Sequence, residues 1–471
     1  MRTLARRLLL PGLTTLALAA TGCSSTAPTG ATGGPERPAA SASATAGTQQ
    51  LDVAAAPQGP ATPTAVARAR TGKGRPEKSS LKVASYDKAS GRAVISTPPQ
   101  EPSGPSSHSP SPGKALPEQP DVAVDDVIAS APAPGAPDGL LAKVTEVVGK
   151  TDRGIEVKTA PTTLASVLKE DKADGKVPVD PASVIVEPLM KGVTFSWAKG
   201  QGARFGPKGA ELPLGNLRLD LNASVDTAEG APASAGASVS GFVQLAPTVE
   251  FAYDGSSGGV PGPSSAFLGM SGDWSSQWEL KGRAAASTGA PKRIPFAKLY
   301  SAPVIQVGPV PVVVNMGLTC YVQVEADGRV TLDVQQDVKG DFRVGGSYAS
   351  GKGWTPVSTS TVRSSPAKAS VTAAGRVKGA LGAEASVGLY GAVGVSADFA
   401  PYLRGEADAK AAASTDGKTS ASGSWALYGG FDLSGQLQLQ LSLFGTPVFE
   451  RRIPLGTLNR EWPLASGQTA R

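Results

Sequence analysis

Apolar and polar residues alternate along several long stretches of this chain. In residues 217–225, 239–253 and 431–443, leucine, valine, phenylalanine and tyrosine fall on odd-numbered positions, apart from Phe242, with mainly polar or small residues between them. Successive side chains of a β-strand point to opposite faces, so each stretch predicts a strand with one apolar and one polar face. Together they predict an all-β, antiparallel fold.

The alternation continues for 27 residues from Val371 to Ala397. A single straight strand of that length would extend ~90 Å, so we expect bulges or turns within it. The candidate positions are Gly379, Gly382, Gly388 and Gly391. Asp-Gly pairs predict further hairpin turns at 254–255, 327–328 and 416–417.

Shorter apolar segments precede this region and predict a separate small β module. The segments lie at 81–86, 93–96, 122–130, 139–144 and 154–159. Thr162 or Thr163 can cap a short helix over residues 165–170, the only helix that we expect in the mature chain. We therefore predict a small β module at residues 80–185. A large antiparallel domain at 186–471 would follow, built as a β-sandwich or an elongated assembly of sheets.

Residues 23–79 are predicted to form a disordered tether ahead of these domains. Alanine, proline, serine, threonine and glycine dominate the segment, and large apolar side chains are rare. Such a composition buries too little apolar surface to offset the entropy of ordering. A flexible segment of this length spans roughly 40 Å on average. Residues 98–120 are also rich in proline and serine and predict a disordered loop inside the small module.

The N-terminus has the pattern of an export signal. Arg2, Arg6 and Arg7 precede a short apolar run over residues 8–20, too short for a stable membrane-spanning helix. The adjacent Arg6 and Arg7 also resemble part of a twin-arginine signal. Both the general secretory route and the twin-arginine route therefore stay open.

Ala20-Thr21-Gly22 leads directly into Cys23. This sequence resembles the lipobox of bacterial lipoproteins, with Ala20 where that family usually has leucine. The resemblance implies removal of a signal peptide over residues 1–22, diacylglycerol on the Cys23 sulfur and an acyl chain such as palmitate on the new N-terminus. Two or three acyl chains give stable attachment, so we expect an extracytoplasmic protein that is lipid-anchored to the cell membrane.

Composition narrows the expected partners. The chain has a formal charge of +6, which falls to +3 once the three signal arginines are removed, so nucleic acid is not expected. Cys320 is the only cysteine besides Cys23, which excludes an intramolecular disulfide after lipidation. Its apolar, strand-like surroundings predict a small core residue.

The candidate chemistry is sparse. His108 is the only histidine and lies in the 98–120 segment, so histidine-based catalysis and histidine-ligated metals are not expected. Residues 346–353 approach a phosphate-binding loop, but Gly353 stands where Mg²⁺ requires a hydroxyl. A glycine-rich hairpin with Trp354 packed beyond it is the preferred interpretation. No calcium-loop pattern occurs.

Carboxylates are the remaining route to catalysis, because glycoside hydrolysis needs only two placed acids. Asp333, Asp337 and Asp341 lie close in sequence, but residues four apart in a strand are ~13 Å apart on one face. We expect a solvated strand face there, and an ectodomain that is not an enzyme and uses no cofactor.

Two groups of segments resemble secreted proteins of high-GC bacteria whose activity is not characterised. The first group is Val127–Ser130, Gly139–Val144 and Thr159–Leu164; the second is Val307–Val314 and Leu389–Gly391. Together they cover most of residues 80–471 and imply a β-rich ectodomain. The resemblance implies no activity.

Two classes of function stay open for the ectodomain. It could bind, space or scaffold at the cell envelope, with an envelope polymer, protein or lipid as partner. Alternatively, it could enclose a hydrophobic ligand such as a lipid. A core filled by side chains favours the first class, and an unfilled apolar tunnel of several hundred Å³ favours the second.

Overall fold

The structure is a computed structural model. It describes residues 48–57, 61–68, 75–96, 122–180, 183–198, 204–206, 209–211, 216–226, 235–256, 262–284, 290–364, 368–414, 420–421, 424–437, 443–445, 453–454 and 457–468. The predictions for residues 1–22, Cys23 and the 98–120 loop, including His108, fall outside the described residues, as does the Asp-Gly pair at 416–417.

The described residues form 27 strands and one short helix, so the all-β prediction is confirmed. In chain order, these are β1 (Gln50–Leu51), β2 (Val53–Ala55), β3 (Thr64–Ala67), β4 (Pro76–Ser79), β5 (Lys82–Asp87), β6 (Arg92–Ser96), β7 (Val127–Ser130), β8 (Leu140–Thr151), β9 (Gly154–Pro161), α1 (Leu164–Leu168), β10 (Lys172–Pro178), β11 (Val184–Pro188), β12 (Val193–Ala198), β13 (Arg204–Gly206), β14 (Gly209–Glu211), β15 (Asn216–Asp226), β16 (Ala235–Asp254), β17 (Ser265–Ala284), β18 (Lys292–Ser301), β19 (Val304–Val307), β20 (Val310–Ala349), β21 (Gly353–Ser364), β22 (Lys368–Leu389), β23 (Ala392–Ser414), β24 (Ser420–Ala421), β25 (Ser424–Leu437), β26 (Ile453–Pro454) and β27 (Leu458–Gln468).

Two sheets contain nearly all of these strands. A seven-stranded antiparallel sheet has the order β4-β3-β7-β8-β9-β6-β5. An 18-stranded sheet contains β1, β2, β10–β12 and β15–β27, and β13 pairs with β14 as a small hairpin. All pairings in the large sheet are antiparallel except that of β1 with β10. Helix α1 buries Leu164, Val167 and Leu168 in the core that both sheets share.

The large sheet folds back over itself along the 40-residue strand β20. In β20, Gly340 lies opposite Trp274, and Cys320 lies opposite Ala383, which is the partner of Phe399. Twenty residues of straight strand would separate these two positions by about 65 Å. The Trp274 and Phe399 rings are nevertheless 5.6 Å apart. The sheet therefore has two facing halves. The first half contains β15, β16, β17, β21 and the C-terminal part of β20. The second half contains β18, β22, β23, β25 and the N-terminal part of β20.

The Asp327-Gly328 pair lies near the middle of β20, where the prediction of a hairpin turn is wrong. Gly328 has φ of +98° and pairs with Gly375, whose φ is +144°. Two adjacent glycines in left-handed or extended-positive backbone bend the paired strands without reversing the chain. Glycine at these two positions therefore permits a bend in the sheet. The expected turn after β22 is confirmed at Gly391, and Gly388 borders a register shift.

The predicted tether is wrong for the described residues between 48 and 79. Strands β1 to β4 lie there, and Leu51 and Ala65 are 7% and 0% exposed in the shared core. The segment is ordered despite its composition because β7, β10 and β19 supply backbone partners to it. Small alanine side chains then fit closely against a core built by other residues.

The domain boundary predicted at residue 185 also differs from the sheets. The seven-stranded sheet ends with Pro161, whereas β10 and β11 already belong to the large sheet. One apolar cluster joins residues of both sheets, including Ala129, Leu141, Val312 and Leu389. The helix prediction is confirmed at Leu164–Leu168 with Thr163 as N-cap, although Thr163 makes no side-chain cap bond to the backbone.

Candidate functional site

A cavity of about 160 Å³ lies between the two halves of the large sheet. Its wall is almost wholly apolar. Val243, Leu245 and Met270 contribute from the first half, and Phe296, Leu318 and Leu381 contribute from the second. Several of these side chains, such as Leu245 and Leu318, are only half-buried although they face the interior. The space between the halves is therefore incompletely filled.

Alternate side chains of each strand face the cavity, which explains why its wall is apolar. In β20, even-numbered residues such as Met316, Leu318 and Phe342 face the cavity on both sides of the bend. In β16, the odd-numbered residues 243, 245 and 247 do so. Tyr300 and Thr359 belong to the lining and are exposed to solvent, so the cavity reaches the surface at β18 and β21.

An aromatic row begins at the cavity wall with Trp274 and Phe399. Trp274 packs edge-on against Phe399, and Phe399 lies 5.6 Å from Phe431. Phe431 in turn lies 6.5 Å from Trp462. These rings connect the first half of the sheet to its far edge in the second half. Aromatic pairs at such separations stabilise the contact beyond the area that they bury.

Few polar groups line the cavity, and two of them are paired. The Ser301 hydroxyl is 2.9 Å from the Ser183 hydroxyl, and the Ser360 hydroxyl donates to the Asp341 carbonyl at 2.9 Å.

Ser276 and Trp274 are different. Ser276 is 5% exposed, and no hydrogen-bond partner for its hydroxyl occurs among the described residues. The Trp274 indole nitrogen is also buried without a partner in the described part of the chain. Neither residue was predicted from the sequence as part of a site. The available signal was the Trp-x-Ser-x-Trp spacing at 274–278, which places a serine on an apolar face.

Cys320 also lines the cavity and is 4% exposed. Burial raises the pKa of its thiol to about 12, so the thiol stays protonated at neutral pH and is a poor nucleophile. The prediction of a small core residue is confirmed.

The outer face of the second half carries cations above tyrosine rings. The Arg293 guanidinium lies 3.5 Å from the centre of the Tyr321 ring, and Lys378 lies 3.7 Å from the centre of the Tyr402 ring. The Tyr321 hydroxyl donates to Asp398 at 2.5 Å. Burial, together with the Asp398 carboxylate, raises the pKa of Tyr321. The cations on this face therefore lie beside carboxylates of opposite charge as well as above the rings.

Arg404 extends the same outer face. It lies 4.0 Å from the centre of the Tyr428 ring and donates to Glu461 at 2.6 Å. The hydrogen bonds from Arg404 lower the pKa of Glu461 despite its partial burial. The charged groups on this face therefore form ion pairs with one another.

The structure does not bring Asp333, Asp337 and Asp341 together around a cleft. They lie opposite Lys281, Gln277 and Asp273 along β17. None of the three belongs to the cavity lining. Asp341 accepts hydrogen bonds from the backbone and side chain of Thr361. The glycine-rich segment 346–353 forms the β20–β21 hairpin, and Trp354 packs 5.5 Å from Tyr348, as predicted.

The segments that resemble high-GC bacterial proteins contact each other where the two sheets meet. Gly139, with φ of +76°, lies so close to Val313 and Tyr390 that a Cβ atom would be 2.5 Å from Val313 Cγ2. Asn315 donates to Asp138 at 2.8 Å and accepts from the Gly391 amide at 2.5 Å. These residues form a structural joint between the sheets.

The described residues contain no candidate metal site and no membrane-spanning helix. Among the described residues, no group of three or more histidine, cysteine or acidic residues could hold a metal ion. The described helix is too short to cross a membrane. Comparisons with models of known families, with curated proteins and with solved structures found no match.

Proposed function

We propose that this protein is an extracytoplasmic lipoprotein, anchored through Cys23, whose β domain binds a small hydrophobic ligand between the halves of its large sheet. The observation that carries the proposal is the apolar cavity of about 160 Å³, which reaches the surface beside Tyr300. Apolar concave sites with few polar groups are typical of ligand pockets.

The size of the cavity limits the ligand. An engineered apolar cavity of about 150 Å³ stays dry and binds benzene, and larger ligand pockets have about 300–1,000 Å³. The cavity is also smaller than the several hundred Å³ that a whole lipid chain requires. The ligand is therefore a single-ring molecule or the end of a longer apolar chain.

Binding of α-methylstyrene to the purified full-length protein tests the proposal. Burying the six ring carbons of this probe gives about 5 kcal/mol, so a Kd on the order of 0.1–1 mM is expected. Ala385 lines the cavity, so Ala385→Leu should fill part of it and weaken binding at least tenfold. Ser386→Leu alters the next position on the opposite face of β22 and should leave the affinity unchanged.

Mass spectrometry of molecules extracted from the native protein provides an independent readout. An apolar compound that co-purifies with wild type and is lost in Ala385→Leu would identify the ligand class. Absence of probe binding to wild type, or equal binding to both leucine variants, would exclude the cavity as the site.

A surface scaffold is the second candidate, and the outer face of the second half favours it. Its cations, tyrosines and carboxylates contact one another across the outer face of the sheet. Such a surface suits a spacer or an envelope-binding module. In this role no ligand enters the cavity, and Ala385→Leu would have no functional consequence.

We also propose that the ectodomain is not an enzyme. Purified protein should show no turnover on peptide, ester, phosphate or glycan panels. Turnover that Asp333→Asn, Asp337→Asn or Asp341→Asn abolishes would contradict this.

A further inference from the structure

Ser276 places a hydroxyl in an otherwise apolar part of the cavity. Its neighbours across the sheet are Val243 in β16 and Val338 in β20. On its own strand, Trp274 and Trp278 occupy the same face. Apolar side chains therefore surround the hydroxyl within the first half of the sheet.

A hydroxyl on an apolar cavity wall is costly when neither water nor another group pairs with it, so its presence there requires a physical reason. The backbone of Ser276 pairs with both neighbouring strands, but no described side chain pairs with its hydroxyl, which lies on the cavity wall. Alanine would fill this position of the strand without the cost. A ligand atom is a partner that the cavity can still admit.

The neighbouring Trp274 indicates what kind of atom the partner is. Trp274 belongs to the same wall, and its indole nitrogen is buried and has no partner among the described residues. An indole nitrogen can only donate, so this part of the wall offers donors to an acceptor. An ordered water typically makes about three hydrogen bonds, more than these two side chains offer. The pattern suits an oxygen atom carried by an otherwise apolar ligand.

We propose that the Ser276 hydroxyl donates a hydrogen bond to the ligand, and that the ligand is an apolar molecule, or the end of one, carrying a carbonyl or ether oxygen. This inference rests on the proposed binding function. In apolar pockets, a single placed polar group fixes the orientation of the ligand and discriminates against analogues that lack its partner. Cys320 is a much weaker donor and faces the cavity from the opposite half of the sheet.

Two probes of the same shape test the hydrogen bond. Acetophenone carries a carbonyl oxygen, and α-methylstyrene has a methylene group in its place. Titrations of the full-length protein would compare wild type, Ser276→Ala and Ser275→Ala. Ser275 is the matched control because it lies next to Ser276 on the opposite face of β17.

We expect Ser276→Ala to weaken acetophenone binding about three- to tenfold, the effect of one hydrogen bond. Its affinity for α-methylstyrene should not change, and Ser275→Ala should change neither affinity. The Tm of unliganded Ser276→Ala should equal or exceed that of wild type, because the substitution removes an unpaired polar group.

The other outcomes separate this inference from the proposed function. Equal acetophenone binding by wild type and Ser276→Ala would overturn the hydrogen bond and leave the cavity as a ligand site. A lower Tm with parallel loss of both probes would show a structural role for the hydroxyl and would also overturn the inference. Failure of wild type to bind either probe would overturn both proposals.

Discussion

At the scale of single residues, glycines opposite aromatic side chains let large rings lie flat on the sheet. Tyr321 pairs with Gly382, and a Cβ atom at Gly382 would clash with the Tyr321 ring. Tyr402 lies over Gly430 in the same way. Both rings are buried beneath cations. These glycines provide space for the ring, whereas the sequence pattern alone predicted a bulge or turn at Gly382.

The Tyr321–Gly382 contact predicts a specific cost for alanine. Gly382→Ala should displace the Tyr321 ring and lower the free energy of unfolding by about 2 kcal/mol, as expected for overpacking. Gly149→Ala is the control, because a Cβ atom added there would meet no atom within 4 Å and the φ of Gly149 is not positive. Denaturant unfolding of both variants measures the difference. Equal stability of the two variants would show that the ring has room to move.

Glu250 predicts the pH dependence of stability. It is buried, forms an ion pair with Lys176 at 2.9 Å and accepts a hydrogen bond from Arg343 at 2.7 Å. Burial raises the pKa of this carboxyl, but hydrogen bonds from Ser271, Lys176 and Arg343 outweigh burial and lower it below its ordinary value of 4.5. The stabilisation is therefore present above that value and lost as the pH falls through the folded-state pKa.

Glu250→Gln should lower the Tm at pH 7 and have a progressively smaller effect as the pH falls below 4.5. Thermal unfolding of wild type and variant between about pH 3 and pH 7 measures this. Glu325, which is exposed, provides the control: Glu325→Gln should leave the Tm near wild type across the range. A constant difference between wild type and Glu250→Gln at every pH would contradict the assigned ionisation.

At the scale of elements, strands with strong alternation were predictable and short strands of small residues were not. The patterns around residues 217–225 and 239–253 correspond to β15 and β16. In contrast, β1 to β4 contain few large apolar side chains and depend on distant partners such as β7 and β10. Sequence periodicity reports the faces of one strand and contains little information about which distant strand will pair with it.

The N-terminal strands predict two different outcomes for two deletions. Removal of residues 24–47 should leave the Tm unchanged, because the described core begins with β1. Removal of residues 24–79 should lower the Tm or prevent folding, because Leu51, Ala65 and Ala67 leave the shared core. Thermal unfolding and limited proteolysis of both proteins measure this. Equal stability of the two deletion variants would show that residues 24–79 are a tether that does not stabilise the folded domain.

At the scale of the whole molecule, the sequence predicts where the protein lies better than what it binds. The lipobox resemblance depends on a few adjacent residues around Cys23, so it is readable directly from the chain. The cavity lies between two halves of a sheet that face each other across the length of β20, and no local pattern predicts that contact. The role that we propose for Ser276 depends on the same long-range contact.

The proposed anchor predicts a change in location that depends on one cysteine. Cys23→Ala should remove acylation and move the protein from the membrane fraction to the soluble fraction, because the acyl chains provide the attachment. Cys320→Ala is the matched control and should stay with the membrane, since Cys320 is buried in the β domain. Fractionation and mass spectrometry of the N-terminus measure both variants. Membrane retention of Cys23→Ala, with an unmodified N-terminus in wild type, would require attachment by another part of the protein.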